Sequence, residues 1–353
     1  MIILKIQLYN LTLALVVLLL LVILLIIGVI IYGYRNYQFI NNAQLWKKRI
    51  EEKISYSIFN GTYNLLNDTE VLSLLENKNF KKIFISVLIE SDQRFVGDAH
   101  KTLKEIFHGL KLDDLAWEKL KSSNSYQNVR GIQVMTAMNN RDAIGTITNL
   151  LDHYNPYVYS EAQYSIVRFN GFQGLSFLQS LEKPLSEWQQ MRLLQALHNV
   201  AESDFHVVSK WLISTNLSVI DFALAFIRKF RIHTAHDSIV GLLNHNSTDI
   251  RVSAIKTLQT IENQETLSIL INSYPLQNEK VKVQIIKFID RSGNSTQISF
   301  LHSVLENESD IHIYINTVKL LKKLNEQEYL TKKITDVNLA PEYRQVLQNA
   351  LSK

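Results

Sequence analysis

No cysteine occurs in the 353 residues, which removes disulfides, thiolate zinc sites and thiol nucleophiles in one step. The absence says nothing about compartment, because a cysteine-free chain is tolerated on either side of a membrane. Glycine and proline are scarce, at 11 and 4, whereas all-β sandwiches and barrels need turn residues at short intervals. An all-α chain is the expectation. The formal net charge is only +4, which lacks the strongly basic balance of a nucleic-acid binder, so any electrostatic partner has to be recognised locally. Several enzyme signatures are missing as well: there is no GxxxxGK[S/T] phosphate loop, GxGxxG fingerprint, GxSxG elbow or HExxH pair. The carboxylate pairs Asp113-Asp114 and Glu51-Glu52 read as helix-capping or solubilising groups, since nothing places them in a pocket. What the chain has in quantity is apolar surface, 46% hydrophobic against 20% charged residues, enough for a sizeable core and inconsistent with global disorder.

From Leu11 to Ile31 only Thr12 and Gly28 interrupt a run of Leu, Val, Ile and Ala, and these 21 residues, at about 1.5 Å each, match the roughly 30 Å hydrocarbon core of a bilayer. A cleaved signal peptide would have a shorter apolar region and small residues after it, where this chain has Tyr32, Gly33, Tyr34 and Arg35. Lys5 precedes the run, and Arg35, Lys47, Lys48 and Arg49 follow it. That asymmetry predicts an N-terminus outside and a cytoplasmic C-terminal part. Tyr32, Tyr34, Tyr37 and Trp46 suit an interfacial belt. Residues 1–34 are thus expected to be a transmembrane anchor and 35–79 a helical juxtamembrane connector with a break at Asn60-Gly61.

Beyond it the sequence repeats. Residues 249–258, starting Asp249-Ile250-Arg251, and 279–289, starting Glu279-Lys280-Val281, both carry apolar residues at a start position and at +4, +5 and +8, one side of a helix. The template can be laid on Phe95, Val129, Val158, Gln189, Val219, Ile250, Val281 and Ile313, at spacings of 34, 29, 31, 30, 31, 31 and 32. Shorter apolar segments lie between, so each unit reads as two helices joined by a turn, and Asn155-Pro156, Asn170-Gly171, Lys183-Pro184 and Ser292-Gly293-Asn294 punctuate the array. Asp249 and Asp310 are expected to cap second helices.

Asn128-Val129-Arg130 and Asp249-Ile250-Arg251 resemble the Asp-Val-Arg-like opening of the second helix in HEAT-repeat proteins, particularly the short bacterial HEAT-like type. The resemblance implies a right-handed α-solenoid of about eight hairpins over residues 80–325, closed by a helical cap at 326–353, because an internal repeat leaves one apolar face uncovered. It also implies a bacterial inner-membrane protein that serves as a scaffold or adaptor for another protein, with an accessory role beside a membrane glycosyltransferase in a surface-polysaccharide system as the narrower version. Some HEAT-like families are lyases or DNA glycosylases. An enzyme or nucleic-acid-binding protein tethered to the membrane is therefore the alternative, although a repeat alone carries no activity with it.

Two surfaces stand out as candidate contacts. Positions +6 and +10 of the second helices hold Lys256, Lys287, Arg291, Lys319 and Lys323, with Lys229 in the repeat before. Stacking would align them into a basic stripe suited to an acidic protein surface or anionic headgroups, unless they only solubilise the helices. Earlier repeats place Tyr157, Tyr159 and Tyr164 where aromatics can anchor a protein partner or pack within the hairpin. His233, His236 and His245 form the nearest approach to a metal cluster, and their position at a turn favours a solvated segment. No catalytic residue, cofactor, metal, nucleic acid or small-molecule substrate is assigned.

Overall fold

The computed structural model describes residues 2–95, 97–292, 295–337 and 339–352, and in the first helix it describes side chains from Leu13 onward, apart from those of residues 14, 35, 36, 38 and 39. Gly293 and Asn294, and the side chains of Lys5, Leu11, Thr12 and Arg35, on which expectations were placed, lie outside that set. Every regular element among the described residues is a helix, so the all-α expectation holds. The chain folds as two compact units, Met1–Ser165 and Ile166–Lys353.

The first unit begins with α1, an unbroken helix from Ile2 to Asn60. Within it Leu15–Tyr34 is apolar, long enough to cross a membrane, and entirely unburied. The same helix then enters the fold. Ile50 and Ile54 are each 1% exposed, and the Trp46 ring meets Phe80 edge-on at 5.5 Å. Lys47 Nζ lies 2.8 Å from Glu90, Arg49 pairs with Glu70 and Lys53 pairs with Asp68. Residues 35–79, expected as a connector, therefore supply core. The stripe Trp46, Ile50, Ile54 recurs every four residues but is narrow, and the Lys and Glu between its members mask it. Gly61, at φ +86°, ends the helix where the Asn60-Gly61 break was expected.

Short α2 (Tyr63–Leu66) and α3 (Thr69–Leu74) lead into α4 (Lys78–Arg94), α5 (Ala99–Gly109), α6 (Asp113–Leu120), α7 (Ser125–Ala137), α8 (Ile144–Thr148) and α9 (Pro156–Asn170). Helix α4 packs on α1, α5 and α7, and α6 on α7. Asp68 caps α3 by accepting from Val71 N–H. The Lys53 hydrogen bond, then this backbone bond, holds its carboxyl below the usual carboxylate range. Because that pKa is depressed, the stabilisation is present above the unfolded carboxylate pKa and is lost as pH falls through the lowered folded value.

The closest approach in this unit is at Gly131, where an added Cβ would stand 2.3 Å from the Leu120 backbone nitrogen and 2.5 Å from its Cα. Gly131→Ala would gain about 1 kcal/mol of helix propensity. It should nevertheless lower stability by a net ~1–3 kcal/mol, since backbone yields less readily than the end of a side chain. A urea midpoint that did not fall would contradict this contact.

In the second unit α10 (Glu187–Ala196), α11 (Phe205–Trp211), α12 (Leu217–Phe230), α13 (His236–Gly241), α14 (Thr248–Leu258), α15 (Thr266–Ser273), α16 (Glu279–Ser292), α17 (Ile298–Asn307), α18 (Ile311–Lys323), α19 (Gln327–Ile334) and α20 (Pro341–Leu351) follow in order. Helix α10 packs on α12, and α12, α14, α16, α18 and α20 pack each on the next. The intervening α11, α13, α15, α17 and α19 each pack on the helix that follows. All four template positions are buried in α12, α14, α16 and α18. Phe172, Trp211, Phe222 and Phe226 form an aromatic core with ring centroids 5.6–6.3 Å apart.

Local capping sets the period. Asn124, Asn155, Ser186, Asn216, Ser247, Asn278 and Asp310 each accept a backbone N–H in the first turn of the helix they precede, at spacings of 31, 31, 30, 31, 31 and 32. Two of the asparagines also donate, across to the preceding hairpin. Asn216 Nδ2 also donates to the Leu181 and Lys183 carbonyls at 2.9 and 3.0 Å, and Asn278 Nδ2 to Thr248 Oγ1 at 2.7 Å, so each cap is tied to the preceding hairpin.

This register corrects parts of the sequence reading. Phe95 follows the end of α4, and the next helix starts at Ala99. In α7 the template begins at Gln127, which buries Gly131, Ile132 and Met135, and Val129 is only half-buried. Asn128 and Asp249 thus occupy different turns: Asn128 stands four residues after its cap and Asp249 two after Ser247. Asp249 is no cap. It pairs with Lys280, at 2.5 Å, while Asp310 does cap α18, with Oδ1 2.8 Å from Ile313 N.

Candidate functional site

Packing of α12, α14, α16 and α18 side by side carries the stripe residues on successive helices, and all six are exposed. They divide into two groups. Lys229 Nζ donates to the Leu197 carbonyl at 2.8 Å and to that of Leu194. It therefore closes the C-terminal end of α10, where unpaired carbonyls favour a cation, and burial pushes its ammonium below the usual lysine range. Arg291 Nη1 lies 3.1 Å from Gln259 Oε1, and Lys323 Nζ lies 2.8 Å from Asp290 Oδ1 and 3.0 Å from the Asp290 carbonyl. These three side chains stitch a helix to the one before it. Lys256, Lys287 and Lys319, each nine residues after its cap, take no part in the hydrogen bonds or ion pairs formed among the described residues.

A second stitch carries no motif in the sequence. Arg228 Nη1 donates to Thr257 Oγ1 at 2.7 Å, and Ser253 Oγ donates to Asp221 Oδ1 at 2.7 Å. Burial lowers the Arg228 pKa and Asp221 opposes that shift. The sequence signal was a charged residue immediately after an apolar template position, which looks like ordinary surface.

In the first unit Tyr157 is 75% exposed, while Tyr159 and Tyr164 are half-buried and have partners of their own. Nearby in the sequence, Tyr126 and Tyr154 are comparably exposed, at 63% and 79%. Tyr154 Oη lies 3.4 Å from Ser125 Oγ, and the Arg130 guanidinium stands 5.6 Å from the Tyr126 ring centre. That guanidinium, 3.4 Å from the phenol at Nε, holds the Tyr126 phenol below its usual range. Nearby, burial first and the like charges of Lys82 and Arg130 second push the Lys119 ammonium down. Tyr126 and Tyr157 both stand two residues after a capping asparagine, a coincidence visible only once the caps are known.

The histidines do separate jobs. His236 is 5% exposed, with Nε2 2.8 Å from Thr266 Oγ1 and Nδ1 3.1 Å from Asp237 Oδ1. It is a buried tie between hairpins, which corrects the expectation of a solvated turn. His245 Nδ1 accepts the Ser247 N–H at 3.0 Å. No group of three His, Cys, Asp or Glu side chains converges on a metal position among the described residues.

No family model matches the chain, and no curated protein matches it. Among solved structures, that of an engineered protein is similar over 68% of this chain and 94% of its own, at 14% identity and a TM-score of 0.24, a likeness too slight to argue from.

Proposed function

We propose that this protein is a membrane-anchored adaptor, in which α1 spans a bilayer and a right-handed α-solenoid of HEAT-like hairpins binds another protein. The supporting observation is the continuity of α1. It is uncovered and apolar over Leu15–Tyr34, about 30 Å at 1.5 Å per residue, and it is core from Trp46 onward. Without a loop between these parts, the packed part of the first unit, from Trp46 onward, is held roughly 18 Å beyond the hydrocarbon edge. Lys47, Lys48 and Arg49 on the C-terminal side support a repeat domain at the cytoplasmic face of a bacterial inner membrane. An accessory role beside a membrane glycosyltransferase rests on resemblance alone.

The docking face in this reading is the column of Lys256, Lys287 and Lys319, chosen because none of the three holds the fold together. In-cell crosslinking followed by purification in mild detergent should recover a membrane-associated protein. Reversing all three lysines to Glu should abolish its recovery while stability changes by only about 0.5 kcal/mol per site. Recovery should also fall with salt, since exposed charges are screened over about 10 Å at 0.1 M. Undiminished recovery from the triple variant would exclude this face.

A further inference from the structure

The lysine column runs into a groove. Between α18 and α20 lies a cavity of ≈ 400 Å³ whose walls include Ile315, Val318, Val346 and Ala350, with Lys319 and Lys322 among its lining residues. Lys322 is occupied, its Nζ 2.6 Å from the Ala350 carbonyl, and so is fixed to the wall. Lys319 takes no part in such a bond and joins the groove to the column. Asn349, also a lining residue, stands nine residues after Ala340, the residue preceding α20. The groove therefore occupies the next place in the row of Lys256, Lys287 and Lys319, where an uncharged residue replaces lysine.

The charge around the row is one-sided. Residues 256–260, 287–291 and 319–323 carry six cations against one carboxylate, Asp290, and Lys323 already pairs with that carboxylate. Packed helices stand about 8–10 Å apart, which sets the interval between the three free ammonium groups. An extended left-handed polyproline II segment brings every third side chain to the same side, at about 3.1 Å per residue and so about 9.3 Å per turn. Its period matches the row.

We infer that this face takes an extended acidic protein segment with a carboxylate at every third position and a large apolar side chain at the end that enters the groove between α18 and α20. The row supplies charge complementarity and the groove supplies an anchor pocket. The inference rests on the adaptor reading and specifies its partner. A single-stranded nucleic acid would meet the same lysines but has no apolar terminus for the groove.

The test uses the full chain in detergent and two fluorescein-labelled peptides of three Glu-Pro-Pro triplets, one with tryptophan at both ends and one with glycine there. The tryptophan peptide should bind at least about tenfold more tightly, the scale expected for burying one large apolar side chain. Ala350→Phe, which fills the groove, should erase that difference and leave the weaker glycine-peptide binding unchanged. Val346→Tyr should do the same if the first variant proves unstable. The double variant Lys287→Glu and Lys319→Glu should lose both peptides without a change in melting temperature. Equal binding of the two peptides, or a difference that survives both groove fillings, overturns the inference. So does an oligodeoxythymidine that competes equally in the wild type and Ala350→Phe. If crosslinking recovers a protein partner but neither peptide binds, the inference fails and the adaptor reading stands; peptide binding without a recoverable partner counts against the adaptor reading instead.

Discussion

Ile285→Asp should cost about 3–5 kcal/mol or more, a large part of the 5–15 kcal/mol that holds a typical domain together. Ile285 is fully buried in α16, between α14 and α18. The substitution removes a large apolar side chain, worth about 2–5 kcal/mol, and puts a carboxylate at a fully buried position. Lys287→Asp, two residues on and exposed, is the control and should change stability by about 0.5 kcal/mol at most. Thermal unfolding followed by circular dichroism separates the two. Equal melting temperatures would mean that the helix register is wrong.

The second large effect concerns α1. Removing residues 1–34 should leave a folded helical protein, because that stretch contributes nothing to the described core. Removing residues 1–60 should unfold the first unit. It takes away Ile50 and Ile54, each worth about 2–5 kcal/mol when a buried aliphatic is truncated, together with Trp46 and the pairs Lys47–Glu90, Arg49–Glu70 and Lys53–Asp68. Matching urea midpoints for the two truncations would show that the distal part of α1 is a connector after all.

Where helices packed on equivalent helices, the sequence reading placed them well: the apolar offsets in α12, α14, α16 and α18 have a 3.6-residue period that tertiary context did not override. It failed ahead of that regularity, in α7 and in α1. In α7 a glycine takes the place of the apolar residue, because α6 approaches Gly131 too closely for any side chain, so the apolar pattern points two residues on, to Val129. In α1 the packed stripe is a single residue wide, so its charged neighbours hid it. The stripe lysines were legible as exposed residues but their roles were not. Whether a lysine closes a neighbouring helix, as Lys229 does, or has no bond, as with Lys287, depends on which carbonyls face it across the stack. The groove between α18 and α20 had no sequence signal, since Ile315 and Val346 look like any other half-buried apolar residues.

The most direct test of the account is an alkaline carbonate wash of membranes from cells producing the full chain and the chain lacking residues 1–34. The full chain should stay in the membrane pellet, and the truncated chain should be recovered in the soluble fraction with its helical circular-dichroism signal intact. Release of the full chain by the wash, or loss of the helical signal on truncation, would contradict a membrane anchor continuous with a separately folded helical domain.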